Sequence, residues 1–177
     1  MHASIKRTFL KLERQKAEML GETAAWSAAG LRFRPEPGSW SALEVLDHVV
    51  KVEINVMDAA RHNLPEGHPI GFKDRLGGLM VNAVMRSPKR VKVPASARMV
   101  LPEITADPAL VIRRWDESRQ AMAKCLDSVA PNQLVPGVFR HPIGGWMTLP
   151  RTLAFLSAHL RHHAYQIKRL KQAARGL

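Results

Sequence analysis

The stretch WSALEVLDHVVKVEINVMDAARHN, residues 40–63, decides the fold class. Ser41 stands where a helix N-cap belongs, Glu44 can return a bond to its amide, and Trp40 ahead of the cap packs on Val45 as a staple. Leu43, Leu46, Val50, Ile54 and Met57 then recur on one side and Val45, Val49, Val52 and Val56 on another, which predicts a helix from Ser41 to about Arg61. Pro65 and Gly67 break it. A helix apolar over so wide an arc must be enclosed by other elements.

Outward from this stretch the periodicity stays helical. Ile5, Phe9, Leu12, Ala17, Leu20 and Ala24 predict a first helix over residues 4 to about 28, stopped by Gly30 and the Pro35-Glu36-Pro37-Gly38 run. Asp107 followed by Pro108 is an N-cap with proline in the first turn, and Leu110, Val111, Trp115, Met122 and Leu126 carry a third helix to about Val129. Thr148 caps a fourth, in which Leu149, Leu153, Leu156, Leu160, Ala164, Ile167 and Leu170 form one stripe to about Ala174. Between the second and third helices, Pro69 to Pro102 holds a short helical candidate, Lys73 to Met85, in a proline-interrupted crossover. With no run of period-two alternation, the expected fold is all-α: a four-helix bundle with a long crossover between helices two and three, as one domain over residues 1–177.

Composition narrows the function classes. Hydrophobic residues make up 46% and charged residues 24% of the 177 residues, so the bulk of the chain is globular. Cys125 is the only cysteine, which excludes an intrachain disulfide and a cysteine-rich zinc module. No uninterrupted apolar stretch marks a secretory signal near Met1, and the most lipid-like run, Leu76 to Met85, is half the roughly 20 residues of a spanning helix. The expectation is a cytoplasmic protein. A net charge of +12 requires basic surface, and Lys73, Arg75, Arg86, Lys89, Arg90, Lys92 and Arg98 concentrate it in the crossover. With no nucleic-acid-binding motif alongside, the charge favours a solvated face or an anion-attracting cleft over nucleic-acid binding.

The chemistry lies in the histidines. His159 and His163, four residues apart, share a helical face beside Leu156, Leu160 and Ile167, the spacing that lets two imidazoles hold one cation. His162 points 60° to 100° away, on the side of Tyr165 and Arg169, and is not assigned as a ligand. Spacing alone leaves the pair open between a surface role and a metal. For a third ligand His2, His48, His62, His68 and His141 are available; only His48 lies mid-helix, at the border between the Val45–Val52 line and the polar arc of Glu44, Lys51 and Asn55. Glu44, Asp47 and Gln166 either hold second ring nitrogens or face solvent. Trp40, Trp115 and Trp146 read as core or staples, Cys125 as a small buried hydrophobe, and Gly77-Gly78 and Gly144-Gly145 lack the context of a phosphate loop.

Two segments carry a family resemblance. Trp40-Ser-Ala-Leu-Glu-Val-Leu-Asp-His48 resembles the W-S-x-x-E-x-x-x-H opening of the second helix in DinB-like (DinB/YfiT-type) proteins, and His141-Pro-Ile-Gly-Gly followed by His159-Leu-Arg-His-His163-Ala-Tyr-Gln166 is similar to their final H-x-x-x-H-x-x-Q helix. The resemblance implies an antiparallel four-helix bundle, often a homodimer, with His48, His159 and His163 binding a divalent metal, zinc or nickel being the ions expected. It further implies a metal-dependent enzyme that activates water or a thiol for hydrolysis or S-transfer, on a small-molecule substrate that includes low-molecular-weight thiols among its candidates. Against it stand a non-catalytic, metal-stabilised or stress-associated bundle and a basic anion-binding module.

Overall fold

The computed structural model describes residues 1–86 and 95–174, most of them helical. Six α-helices and one β-hairpin follow in order: α1 Ala3–Thr23, α2 Ala28–Arg32, α3 Ala42–Asn63, α4 Phe72–Arg86, α5 Pro108–Asp127, β1 Gly137–His141, β2 Gly145–Thr148 and α6 Leu149–Ala174. Lys89, Arg90 and Lys92 of the basic crossover lie outside the described residues.

The start signals work as the side chains require. Ser41 Oγ accepts from Glu44 N while a Glu44 carboxylate oxygen accepts from Ser41 N at 2.9 Å, closing a capping box at α3. Asp107 accepts from Ala109 N ahead of Pro108, and Thr148 Oγ1 accepts from Arg151 N at the head of α6. The first helix is shorter than its periodicity suggests. The Thr23 hydroxyl donates to the Met19 and Leu20 carbonyls at the end of α1, and Ser27 then caps the separate α2 by accepting from Gly30 N. Its buried stripe is Ile5, Leu12, Lys16, Met19 and Thr23, with Ala17 and Ala24 exposed.

The long helices close on one another: α1 packs on α6 and touches α5, while α3 packs on both α5 and α6. A buried polar cluster ties α3 to α5 and α1 within this packing. Glu53 on α3, 1% exposed, accepts from Arg119 Nε at 2.8 Å and from its second terminal nitrogen at 2.7 Å, from Trp115 Nε1 at 3.2 Å and from Ser118 Oγ at 3.1 Å, and Arg119 also reaches Glu13 on α1. A buried carboxylate with four donated bonds is tolerated because no lone pair is left facing carbon.

The hairpin departs from the all-α expectation. Strands of five and four residues are too short for alternation to register, and Val138 and Phe139 are buried in succession across an irregularity between Gly137 and Phe139. Gly145 adopts φ +69° at the turn, and a Cβ there would strike the Asp74 carboxylate that accepts Trp146 N. A Cβ on Gly77 would lie 2.8 Å from the Gly144 carbonyl oxygen. Gly77, Gly144 and Gly145 thus serve the close approach of α4 to the hairpin, and with it the placement of Trp146 and His141. No helix among the described residues is long and apolar enough to cross a membrane.

Candidate metal centre

α3 presents His48 and α6 presents His159 and His163 toward one another, and all three are buried. One ligand nitrogen from each lies within 4.8 Å of the others. The ring centroids stand 5.2 Å (His48–His159), 4.9 Å (His48–His163) and 4.5 Å (His159–His163) apart.

Two of the rings are held from behind. His48 Nδ1 donates to the Val100 carbonyl at 2.7 Å, and His163 Nδ1 donates to Gln166 Oε1 at 2.9 Å. Each bond puts the ring hydrogen on Nδ1 and leaves Nε2 a lone pair. His163 Nε2 lies 3.2 Å from His159 Nε2. Burial keeps the rings neutral: it lowers the pKa of His163 to about 3 and that of His159 well below its ordinary value, with neighbouring imidazoles adding to both. His48 is also lowered by burial, opposed by the Val100 bond and the nearby Asp47 charge. Neutral, buried imidazoles with outward lone pairs are the donor chemistry a borderline divalent cation takes, so the residues fit the implied metal.

Val100 has no signal in the sequence, because a backbone carbonyl is the same in every residue. Its place is set from α3. Lys51 donates to the Leu101 carbonyl at 3.2 Å and pairs with Glu103 and Asp47, while Asp47 accepts from Glu103 N at 2.8 Å. Asp47 is therefore buried but turned to the 100–103 strap and not to a ring. Glu44 is likewise buried, occupied by its cap and by a two-pronged pair with Arg34 at 2.9 and 2.6 Å. Of the three polar candidates beside the site, Gln166 alone holds an imidazole.

The pattern of the DinB superfamily matches residues 11–167. The chain belongs to the DinB superfamily. Among solved structures, YfiT from Bacillus subtilis, described as a probable metal-dependent hydrolase with an unusual four-helix bundle topology, shares the fold with a TM-score of 0.66 at 18% identity, over 96% of this chain and 86% of that one. No curated protein matches this DinB-superfamily chain.

In this member of the superfamily the three histidines line a cavity of about 390 Å³, walled mainly by Trp40, Val52, Val56, Phe139, Trp146 and Phe155. Trp40 lies 4.8 Å from the His48 ring and Trp146 stacks on His68 at 3.8 Å, so these two tryptophans serve the cavity, while Trp115 is core. His162 corrects the wheel: it is buried, lines the cavity and stands edge-on to His163 at 5.1 Å, because α1, α3, α4 and the hairpin together cover a wider arc of α6 than its apolar stripe suggests. Its nitrogens are outside the converging group. His2 and His62 are exposed and remote in role, His2 capping α1. His141 lines the cavity from the hairpin. Cys125 is half-buried, and burial raises its pKa, which makes it a poor nucleophile.

Proposed function

We propose that this chain is a metal-dependent enzyme for a small-molecule substrate, with His48, His159 and His163 as ligands of a divalent cation, zinc or nickel. The observation that carries the reading is the convergence of three buried imidazoles on one point in the wall of an apolar cavity, two of them tied back through Nδ1. The cation supplies Lewis acidity, which brings the pKa of a water or thiol toward neutrality. The chain's own part is to keep the imidazoles neutral by burial, to fix their tautomers through Val100 and Gln166, and to exclude bulk water with Trp40, Phe139 and Phe155.

Activation of water for hydrolysis and of a thiol for S-transfer both follow from such a centre. The shared fold with YfiT, itself described as a probable hydrolase, favours hydrolysis. The reading takes residues 1–177 as one domain and the connection between α3 and α5 as the crossover of its bundle.

Metal content of protein purified without a polyhistidine tag, compared with His159→Ala, tests the centre. One ion per chain in the parent and a large loss in the variant are expected; equal content in both removes the proposal. Ester hydrolysis and thiol conjugation are then assayed with and without the ion. Binding of the ion with no metal-dependent turnover in either screen leaves the non-catalytic bundle as the answer.

A further inference from the structure

His141 closes β1 at the turn of the hairpin, its ring edge-on to Phe155 at 5.0 Å and to Phe139 at 6.3 Å, and it lines the same cavity as the three converging imidazoles. Nδ1 accepts two backbone N–H groups, from Ile143 at 3.1 Å and from Gly144 at 3.0 Å. A nitrogen that accepts carries no hydrogen, so the neutral ring has its hydrogen on Nε2. Burial holds the ring neutral, with the pKa lowered to about 4. Among the described residues no protein acceptor meets Nε2, and it is not one of the fully enclosed orphan atoms. The turn therefore builds a donor of fixed tautomer and leaves it to whatever fills the cavity.

The rest of the lining sets the character of that occupant. Carbon surfaces dominate, no carboxylate lines the cavity among the described residues, and its cationic side chain, Arg140, is exposed. Away from the three converging imidazoles, a charged group would give up water there without a buried counter-ion. A neutral one with a single acceptor oxygen loses nothing that His141 does not return.

We propose that the cavity takes an uncharged, largely apolar substrate bearing a carbonyl-type oxygen, and that His141 orients it by donating its Nε2–H to that oxygen. This rests on the cavity being the substrate site of the enzyme proposed above, although the donor itself needs no metal.

The test uses 2-acetylnaphthalene and 2-ethylnaphthalene, similar in shape and differing by the carbonyl, titrated calorimetrically into the full chain after chelator treatment. His141→Asn is the variant: its side-chain oxygen replaces Nδ1 as acceptor at the turn, while nothing donates at the former Nε2 position. The ketone is expected to bind about three- to tenfold more weakly to the variant, the range of one neutral hydrogen bond, and the hydrocarbon to bind both proteins alike. Equal change for the two probes, or none for the ketone, overturns the assignment; failure of both probes to bind the parent overturns the apolar substrate. Long-range ¹⁵N–¹H correlation of the unmodified protein at pH 7 reads the tautomer without any variant: an Nε2–H imidazole is expected, and an Nδ1–H ring or an imidazolium at His141 refutes the donor. Because these measurements are made without metal, an unaltered metal content in His159→Ala would remove the metalloenzyme reading and leave them standing.

Discussion

Replacing Gln166 by leucine tests how the centre is held. Its Oε1 takes the Nδ1–H of His163 at 2.9 Å, and among the described residues no other group accepts from that nitrogen. The bond between neutral partners is worth roughly 0.5–1.5 kcal/mol net. Its loss acts a second time, because an untethered ring can move its hydrogen to Nε2 or rotate, and either withdraws a lone pair from the point shared with His48 and His159. Removal of such an outer partner weakens metal binding about 10- to 100-fold, or about 1.4–2.8 kcal/mol, so the tether's direct worth accounts for the lower end and tautomer control for the rest. His48 keeps its bond to the Val100 carbonyl, and leucine is close in size on a half-buried helix position, so stoichiometry stays at one ion and the melting temperature moves little. Competition for zinc against a chromophoric chelator at pH 7 measures the effect, with Gln166→Glu, whose carboxylate still accepts from Nδ1, expected to recover the affinity. Unchanged affinity in Gln166→Leu would refute the reasoning, as would a loss as complete as that of His163→Ala.

Glu53→Gln leaves Arg119 buried against a neutral partner and is expected to cost about 3–5 kcal/mol in urea unfolding, whereas the double change Glu53→Met, Arg119→Leu should recover most of it; a mild single variant would mean the pair is solvated. Gly77→Ala drives a Cβ against the Gly144 backbone and should destabilise by about 1–3 kcal/mol, while Gly21→Ala in α1, with nothing within 4 Å, should be neutral or stabilising. For the metal-free protein, His48, His159 and His163 have folded pKa values below their ordinary one, so the unfolded chain binds more protons and stability falls as pH drops below about 6.5. His163 alone, at about 3 in the folded state, should remove about 2 kcal/mol between pH 7.5 and 5, and an unchanged urea midpoint over that interval would show that the rings are already solvated.

The helices were legible because their information is local. Ser41 and Glu44, Asp107 and Pro108, and Thr148 each declare a helix start within a few residues, and an apolar stripe needs only the wheel to be seen. The hairpin was not, because Val138 and Phe139 are buried on succession and not on alternation, against α3 and α6, which the strand's own sequence does not name. The break between α1 and α2 was missed for a subtler reason: Thr23 and Ser27 end and restart a helix inside a stretch whose alanines keep the periodicity running.

For the centre, sequence located the donors and not their supports. His159 and His163 are separated by one turn, so their meeting is a property of α6 itself. His48 lies on another helix at the border of its apolar arc, and what turns its ring inward is a carbonyl some fifty residues away, delivered by the strap that Lys51 and Asp47 stitch to α3. The wheel fails at His162 for the same reason, since burial on α6 depends on which elements arrive from elsewhere. It follows that the residues hardest to read are the ones that tune the chemistry: a ligand can be moved along a helix and recognised again by spacing, but a tautomer is set by whichever acceptor the tertiary fold brings behind the ring. Asp47→Asn separates the two levels. It touches no imidazole, yet it weakens the pairing with Lys51 that holds the strap, so it should lower zinc affinity severalfold through His48 while leaving the His159–His163 pair intact; full parental affinity in the same chelator competition would show that Val100 is held in place without Asp47.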